Sequence, residues 1–252
     1  AKPSKQVSSQ KIAVFWSPDS NFSKSLRGEF SNAFGATRLI KDSNLFNLSH
    51  RNFNPVDALQ EAKNQGATAV VLIPDAGTTP DALDNALKVI KFNNDPNLMM
   101  LAGDSLYGSK VLETEIAQKA VNRLVVAIAW HKLSIPDLEF LKLARKLWGT
   151  EDVSWRTAAT YDATRVLIEA IKQQPSREGI RKVLSQDKVI VTGSATGDIN
   201  FEKSERVDPK VALVTVVPYC SPASGYSFVP IELAGAKCFQ PTPNQETKVI
   251  RP

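Results

Sequence analysis

Polar and aromatic side chains follow three apolar segments of the sequence, where they could bind a small molecule. Hydroxyl, amide and carboxyl groups can hydrogen-bond such a ligand, and an aromatic ring can stack on it. In an open α/β sheet, ligands bind outside the carboxyl ends of the strands, so the loops after these segments are the candidates. The candidate ligand-binding residues are Ser20, Asn21 and Phe22 in the first loop, Asp75 and Thr78 in the second, and Asp104, Ser105 and Tyr107 in the third.

Several of these residues have a structural alternative. Phe22 also fits the apolar face of the helix that follows, so core packing and ligand contact both account for it. Asp104 could receive an ammonium group, but an aspartate in a turn usually binds its own backbone. Tyr107 could stack on a ligand or pack against a second domain. Asp162, further along the chain, is expected to anchor its helix or a link between domains.

Apolar strands alternate with amphipathic helices in the first half of the sequence. Strands are predicted at 11–16, 37–40, 68–73, 98–101 and 124–129. In most of the segments between these strands, apolar residues recur at helical spacing. Repeated strand and helix units predict right-handed crossovers and an α/β fold with a doubly wound parallel sheet. Residues 11–130 are therefore expected to form one complete α/β lobe, preceded by a flexible linker over residues 1–10.

The character of the sequence changes after Trp130. Helices are predicted at 136–148, 157–173 and 177–184, and short strands near 189–191, 199–201 and 211–217. These helices carry apolar stripes that need a sheet to cover them, and the sequence supplies few strands for one. We therefore expect an incomplete, mostly helical second lobe over 131–204, a returning strand within 205–218, and a Pro-, Gly- and Ser-rich tail over 219–252.

The sequence contains no motif of an enzyme or a metal site. His50 and His131 lie far apart and belong to no metal-binding pattern. The P-loop, the dinucleotide-binding G-x-G-x-x-G and the hydrolase G-x-S-x-G motifs are all absent. We therefore expect a protein that is not an enzyme and needs no cofactor. A flavodoxin-like enzyme is an alternative function, which the presence of a bound flavin would favour.

Charge and hydropathy narrow the range of partners. The net charge is +5, but lysines and arginines alternate with acidic residues instead of clustering with exposed aromatics, so nucleic-acid binding is not predicted. The longest apolar run, 124–130, is too short to span a bilayer, which needs about 20 residues. No membrane span is predicted.

Residues 154–201 carry a resemblance to a known family. The sequence Tyr161-Asp162-Ala163 opens a long helix, the pair Gly193 and Gly197 precedes Asp198, and a final strand follows at 211–217. This order resembles the type I periplasmic binding proteins of the branched-chain amino-acid receptor group. Cyanobacterial receptors are more similar still, through the W-R-T run at 155–157 and the segment 225–230. The resemblance implies a chain that lacks the N-terminal part of lobe 1.

The same resemblance implies a function. Receptors of this family close two lobes over a small polar solute, such as an amino acid, and a transporter or signalling partner reads the closed form. Phe22 matches an aromatic of the family's site, whereas Thr78 and Ser105 differ from the Tyr and Glu of leucine-type receptors. Alternatively, the chain is a ligand-free docking module of a larger sensor that self-associates through its incomplete lobe. With one lobe face, this chain alone is expected to bind weakly or not at all.

The two cysteines bear on the location of the protein. Cys220 and Cys238 do not have the C-x-x-C spacing of redox or zinc sites. They form a disulfide if the protein is exported, or stay as two thiols in the cytosol. The family resemblance implies a periplasmic or extracellular location and so favours the disulfide.

Overall fold

The computed structural model describes residues 10–77, 80–134, 138–186, 188–202, 205–207, 209–220, 224–235 and 238–240. The described residues form two compact units. Unit 1 contains those up to 127 and those from 214 to 240, and unit 2 contains those from 128 to 213.

Unit 1 is built on a six-stranded sheet with the order β1-β2-β3-β4-β8-β9. Its strands are β1 (Ile12–Trp16), β2 (Ala69–Ile73), β3 (Met99–Ala102), β4 (Leu124–Ile128), β8 (Ala212–Pro218) and β9 (Tyr226–Pro230). The first four strands are parallel neighbours, and β8 and β9 are antiparallel. Side chains on both faces of β1 and β2 are buried, as expected where helices cover a parallel sheet on two sides. The predicted α/β fold with its parallel sheet is confirmed.

Four α-helices connect the strands of unit 1, namely α1 (Asn21–Phe34), α2 (Pro55–Asn64), α3 (Pro80–Phe92) and α4 (Thr114–Ala120). Capping chemistry sets where two of them begin. The Ser20 hydroxyl accepts a hydrogen bond from the Ser23 amide, and the Asn54 side chain accepts from the amides of Val56 and Asp57. On the opposite face of the sheet to α1, Phe15 stacks on Phe46 with ring centroids 4.7 Å apart.

Two segments of unit 1 differ from the sequence-based expectation. The strand predicted at 37–40 is wrong, because Ala36–Arg38 forms a 3-10 turn and only Leu39 makes a single bridge, to Ile12. The guanidinium of Arg38 lies 3.6 Å from the centre of the Phe34 ring, which holds this segment against the end of α1. Within 219–252, read from composition as a tail, β9 adds a paired strand to the sheet.

Unit 2 contains three helices and a small antiparallel sheet. The helices are α5 (Leu138–Trp148), α6 (Trp155–Gln173) and α7 (Arg177–Leu184), and the strands are β5 (Lys188–Val191), β6 (Ile199–Glu202) and β7 (Glu205–Arg206). Val166 on α6 packs with Val191 and Ile199 of the sheet. A second cluster gathers around Trp130, Phe140 and Ala158. The mostly helical character predicted for this part of the chain is confirmed.

A buried carboxylate joins α6 to the turn between β5 and β6. Asp162 is 2% exposed, and its oxygens accept hydrogen bonds from the backbone amides of Ala195 at 2.7 Å and Thr196 at 2.9 Å. The Thr196 hydroxyl also donates to Asp162 and accepts from the guanidinium of Arg206. Of the two roles expected for Asp162, the structure shows that it anchors its helix. Gly197, with φ of +92°, lets the chain turn directly after these contacts.

The cysteines of unit 1 are bonded to each other. The disulfide joins Cys220 to Cys238, which are 18 residues apart with Cα atoms separated by 4.9 Å. The backbone amide of Phe239 donates to the Pro218 carbonyl, and the Cys220 amide donates to the Phe239 carbonyl, both at 2.8 Å. The disulfide and these two hydrogen bonds fix residues 238–240 beside the end of β8.

Replacing Asp162 by alanine is expected to lower the free energy of unfolding by about 3 kcal/mol, because two buried amides lose their acceptor. Urea denaturation followed by tryptophan fluorescence measures this, since three of the four tryptophans, Trp130, Trp148 and Trp155, are in unit 2. Asp198→Ala is the matched control. Its exposed carboxylate accepts one hydrogen bond, from the Gly193 amide, so its loss should cost less than about 1 kcal/mol. Equal effects of the two substitutions would contradict the anchoring role.

Candidate functional site

Three loops of unit 1 leave the sheet at the same edge. Strands β1, β2 and β3 end at Trp16, Ile73 and Ala102. Trp16 is paired with Ile73, and Leu72 with Ala102, so the three carboxyl ends are level to within one residue. We call the segments that follow, 17–22, 74–77 and 103–107, the carboxyl-edge loops. They contain all the candidate ligand-binding residues that the structure describes; Thr78 lies outside the described residues.

Buried hydroxyl groups join the first loop to the second. The Ser17 amide donates to the Ser23 hydroxyl at 2.8 Å, and that hydroxyl donates to the Ile73 carbonyl at 2.7 Å. The Ser17 hydroxyl in turn accepts from the Asp75 amide at 3.1 Å. Ser17 and Ser23 are fully buried. We call these three hydrogen bonds the serine network; they fix the backbone of the two loops against each other.

Ser23 was not predicted from the sequence. A serine inside a helix usually faces solvent or binds its own backbone, and neither pattern marks it as a link between strands. The signal in the sequence was the position of Ser23, in the first turn of a helix that follows directly after a strand. Small hydroxyl side chains at such a position can reach the neighbouring strand end.

The residues of the first loop have separate roles. Ser20 is 3% exposed, and its hydroxyl accepts from the Ser23 amide, so it caps α1 and is not open to a ligand. Asn21 is exposed. The Phe22 side chain is 47% exposed, which rules out the core-packing alternative for this ring. The loop therefore presents the Asp19 carboxylate, the Asn21 amide and the Phe22 ring to its surroundings.

The second and third loops place carboxylates and a tyrosine near the same edge. Asp75 is 8% exposed, and its Oδ1 accepts from the Gly77 amide at 2.7 Å, so it shapes its own loop. Asp104 and Ser105 begin a 3-10 turn, Asp104–Leu106, and both are half-buried. The Tyr107 ring packs on Phe228 of β9, with ring centroids 4.7 Å apart. Tyr107 thus contacts the sheet of its own unit.

Three surface ion pairs among the described residues of unit 1 shift the pKa of one of their members. Backbone hydrogen bonding from Asn97 and the ammonium of Lys63 lower the pKa of Asp95. Lys91 lowers the pKa of Glu115, and Asp84 raises the pKa of Lys110. These pairs connect helices and turns in solvent, and each stabilises its charged form.

Both histidines accept a hydrogen bond from a backbone amide close by in the chain. The Nδ1 atoms of His50 and His131 accept hydrogen bonds from the amides of Asn52 and Leu133, two residues further on, each at 3.2 Å. Within the described ranges, no group of three or more His, Cys, Asp or Glu side chains is placed to hold a metal ion. In the same residues, we found no helix with the length and apolar character needed to cross a membrane.

Comparison with known proteins identifies the fold. No protein-family model matches the sequence. No curated protein sequence matches it either. Solved structures do match, and the three that follow are binding proteins of ABC transporters and not enzymes.

A solute-binding protein of an ABC transporter from Rhodopseudomonas palustris, in complex with p-hydroxybenzoic acid, is similar with a TM-score of 0.60 and 18% identity, covering 90% of this chain and 62% of that one. A fatty acid ABC transporter substrate-binding protein from Thermomonospora curvata matches with a TM-score of 0.59 and 14% identity, over 90% and 59% of the two chains. A branched-chain amino acid ABC transporter protein from Thermus thermophilus, with bound valine, matches with a TM-score of 0.55 and 15% identity, over 88% and 59%.

The three matches cover most of this chain and part of each solved structure. The chain spans about 60% of the length of each of these proteins. Its mixed α/β structure with a mostly parallel sheet matches theirs. The chain therefore has the fold of the type I periplasmic binding proteins, as its sequence predicts.

Proposed function

We propose that the carboxyl-edge loops of unit 1 form one wall of a binding site for a small polar solute, an amino acid or a related compound. The chain would then act as a receptor domain whose bound state is read by a membrane transporter or a signalling partner. The observation that carries this proposal is the exposed Phe22 ring, held on a loop that the serine network fixes. The similar structures support it, since one was solved with valine and another with p-hydroxybenzoic acid.

An exposed aromatic ring at this position favours ligand contact. Phe22 lies in the first turn of α1, directly after the carboxyl end of β1, where ligands bind in open α/β sheets. Its backbone is fixed by the Ser20 cap and by the serine network one residue further on. A rigid ring pays little conformational entropy on binding, so it can contribute stacking energy efficiently.

The charges of these loops favour a ligand with an ammonium group. The three loops carry Asp19, Asp75 and Asp104 and contain no lysine or arginine. Such an acidic edge attracts a cationic group and disfavours an isolated carboxylate. This balance supports an amino acid or an amine over a simple organic acid.

The disulfide supports a location outside the cytosol. Stable disulfides form in oxidising compartments such as the periplasm and the extracellular space. The bond between Cys220 and Cys238 therefore fits an exported receptor. This location would place the carboxyl-edge loops where they meet solutes before transport.

Replacing Phe22 by alanine is expected to weaken solute binding by about tenfold, because the ligand loses its stacking surface. Binding is measured by NMR titration of the 15N-labelled chain with a panel of amino acids, a method that detects millimolar affinities. Phe92→Ala is the matched control, since this phenylalanine is 44% exposed and lies at the far end of α3, toward the amino edge of the sheet.

The same titration separates the alternatives. Amino acids should shift the amide resonances of the carboxyl-edge loops. Their deaminated analogues should shift these resonances less. If Phe22→Ala shows the same saturable shifts as the unsubstituted chain, the Phe22 ring does not contact the ligand. A panel that produces no shift in these loops would contradict the receptor proposal.

Unit 2 supports a second candidate function, docking of the chain to another copy of itself. Large apolar side chains are exposed on two of its helices. They are Leu143, Leu147 and Trp148 on α5, and Leu167, Ile168 and Ile171 on α6. Exposed apolar residues at helical spacing are typical of surfaces that another protein covers. A docking module would use these faces whether or not a solute binds.

Under this second candidate, the chain self-associates and Leu147→Glu weakens that association, because a charge cannot be buried without a partner. Light scattering over a range of protein concentrations measures the average mass. Leu233→Glu is the control, since Leu233 is also exposed, at 52% against 68% for Leu147, but lies in unit 1. A chain that stays monomeric at every concentration would exclude this function.

A further inference from the structure

Helix α1 borders a cleft that none of the carboxyl-edge loops lines. The cleft has a volume of about 260 Å³. Its lining is polar and basic apart from one aromatic ring and one glycine, and consists of Trp16, Lys24, Arg27, Gly28, Ser31 and Asn32. The five helical residues recur at intervals of three and four, so they form one face of α1. The proposed solute site does not use this face.

Gly28 keeps the floor of the cleft open. It lies in the interior of α1, where glycine destabilises a helix relative to alanine. A Cβ atom built on Gly28 would meet no heavy atom within 4 Å, and its backbone has no positive φ, so neither packing nor conformation requires glycine here. A larger side chain would instead project into the cleft.

Arg27 is held in place at the wall of the cleft. Its guanidinium carbon lies 4.4 Å from the centre of the Trp16 ring, and its Nη2 donates to the Asp42 carboxylate at 3.0 Å. Its Nε is shielded from solvent and has no hydrogen-bond partner among the described residues, which is unfavourable for a charged donor. Stacking on Trp16 and the ion pair with Asp42 therefore hold the guanidinium in one position at the wall of the cleft.

The remaining charges of the cleft are positive. Lys24 is exposed, and it forms no ion pair within the part of the chain that the structure describes. Glu29, the one acidic residue of α1, does not line the cleft. A neighbouring cleft of about 270 Å³ shares Trp16 but is lined by Asp42, Ser43 and two asparagines and has no cationic side chain. The two clefts therefore differ in charge, and only the one over Gly28 suits an anion.

We propose that the cleft over Gly28 binds an oxyanion, a carboxylate or a phosphate group. The ammonium of Lys24 and the fixed guanidinium of Arg27 supply the charge. The Ser31 hydroxyl and the Asn32 amide supply neutral donors on the same helical face. The missing side chain at Gly28 lets the anion approach the helix, and charge-assisted hydrogen bonds provide most of the affinity.

The test is an NMR titration of the 15N-labelled chain with sodium phosphate and, separately, with sodium acetate. Sodium chloride is adjusted to keep the ionic strength constant, because screening alone shifts exposed charges. We expect saturable shifts of the Trp16 indole N–H and of the amides in 24–32. Lys24→Met should weaken binding by about tenfold, as expected for loss of one charged donor.

Two further variants test whether the anion binds in the cleft. Gly28→Leu should fill the cleft and abolish the shifts without lowering the melting temperature, because leucine favours a helix and its Cβ meets no other atom. Lys119→Met removes the same charge from α4, in the same unit but outside the cleft, and should leave binding unchanged.

Each outcome decides the proposal. Saturation by phosphate alone identifies a phosphate site, saturation by acetate alone a carboxylate site, and both support an oxyanion cleft. Shifts that do not saturate, that chloride reproduces, or that Lys119→Met weakens as much as Lys24→Met would overturn it. Unchanged binding in Gly28→Leu would place the anion elsewhere.

Discussion

One buried hydroxyl group determines how the carboxyl edge of unit 1 is arranged. The Ser23 hydroxyl accepts from the Ser17 amide and donates to the Ile73 carbonyl, so a side chain of α1 binds the ends of β1 and β2 together. The parallel register brings these strand ends level, but it does not set the paths of the loops that leave them. The serine network does so, and the direction of α1, the exposure of Phe22 and the place of Asp75 all depend on it.

Unit 2 uses the same device with a carboxylate in place of a hydroxyl. Asp162 accepts hydrogen bonds from two backbone amides of the turn before β6. Arg206 donates to Thr196 of the same turn. In both units, a buried polar side chain on a helix satisfies backbone groups that the sheet leaves unpaired. Burial makes these contacts costly to lose, and for that reason they can fix the geometry of a turn.

The sequence was sufficient to predict most of the fold, because strands β1 to β4 are continuous apolar runs between helical segments. The sequence-based predictions failed where tertiary contacts determine the local structure. Residues 37–40 look like a strand, yet Arg38 stacks on Phe34 and the segment turns. The strand β9 lies among Pro, Gly and Ser residues and is recognised only through its pairing with β8. At the candidate site, the sequence predicted where β1, β2 and β3 end, and so which loops follow them. The sequence could not show that Phe22 is exposed or that Ser23 joins two strands, because both depend on neighbours distant in sequence.

Amide hydrogen exchange in Ser23→Ala, compared with Ser25→Ala, tests the central claim most directly. Ser25 lies two residues further along α1 and is exposed, so the two variants lose the same group from a buried and a solvated position. If the Ser23 hydroxyl holds the loops, the Ser17 and Asp75 amides should exchange at least about tenfold faster in Ser23→Ala, as expected for loss of a buried hydrogen bond. Ser25→Ala should leave both rates unchanged. Equal exchange of these two amides in both variants would show that the loops keep their arrangement without the serine network.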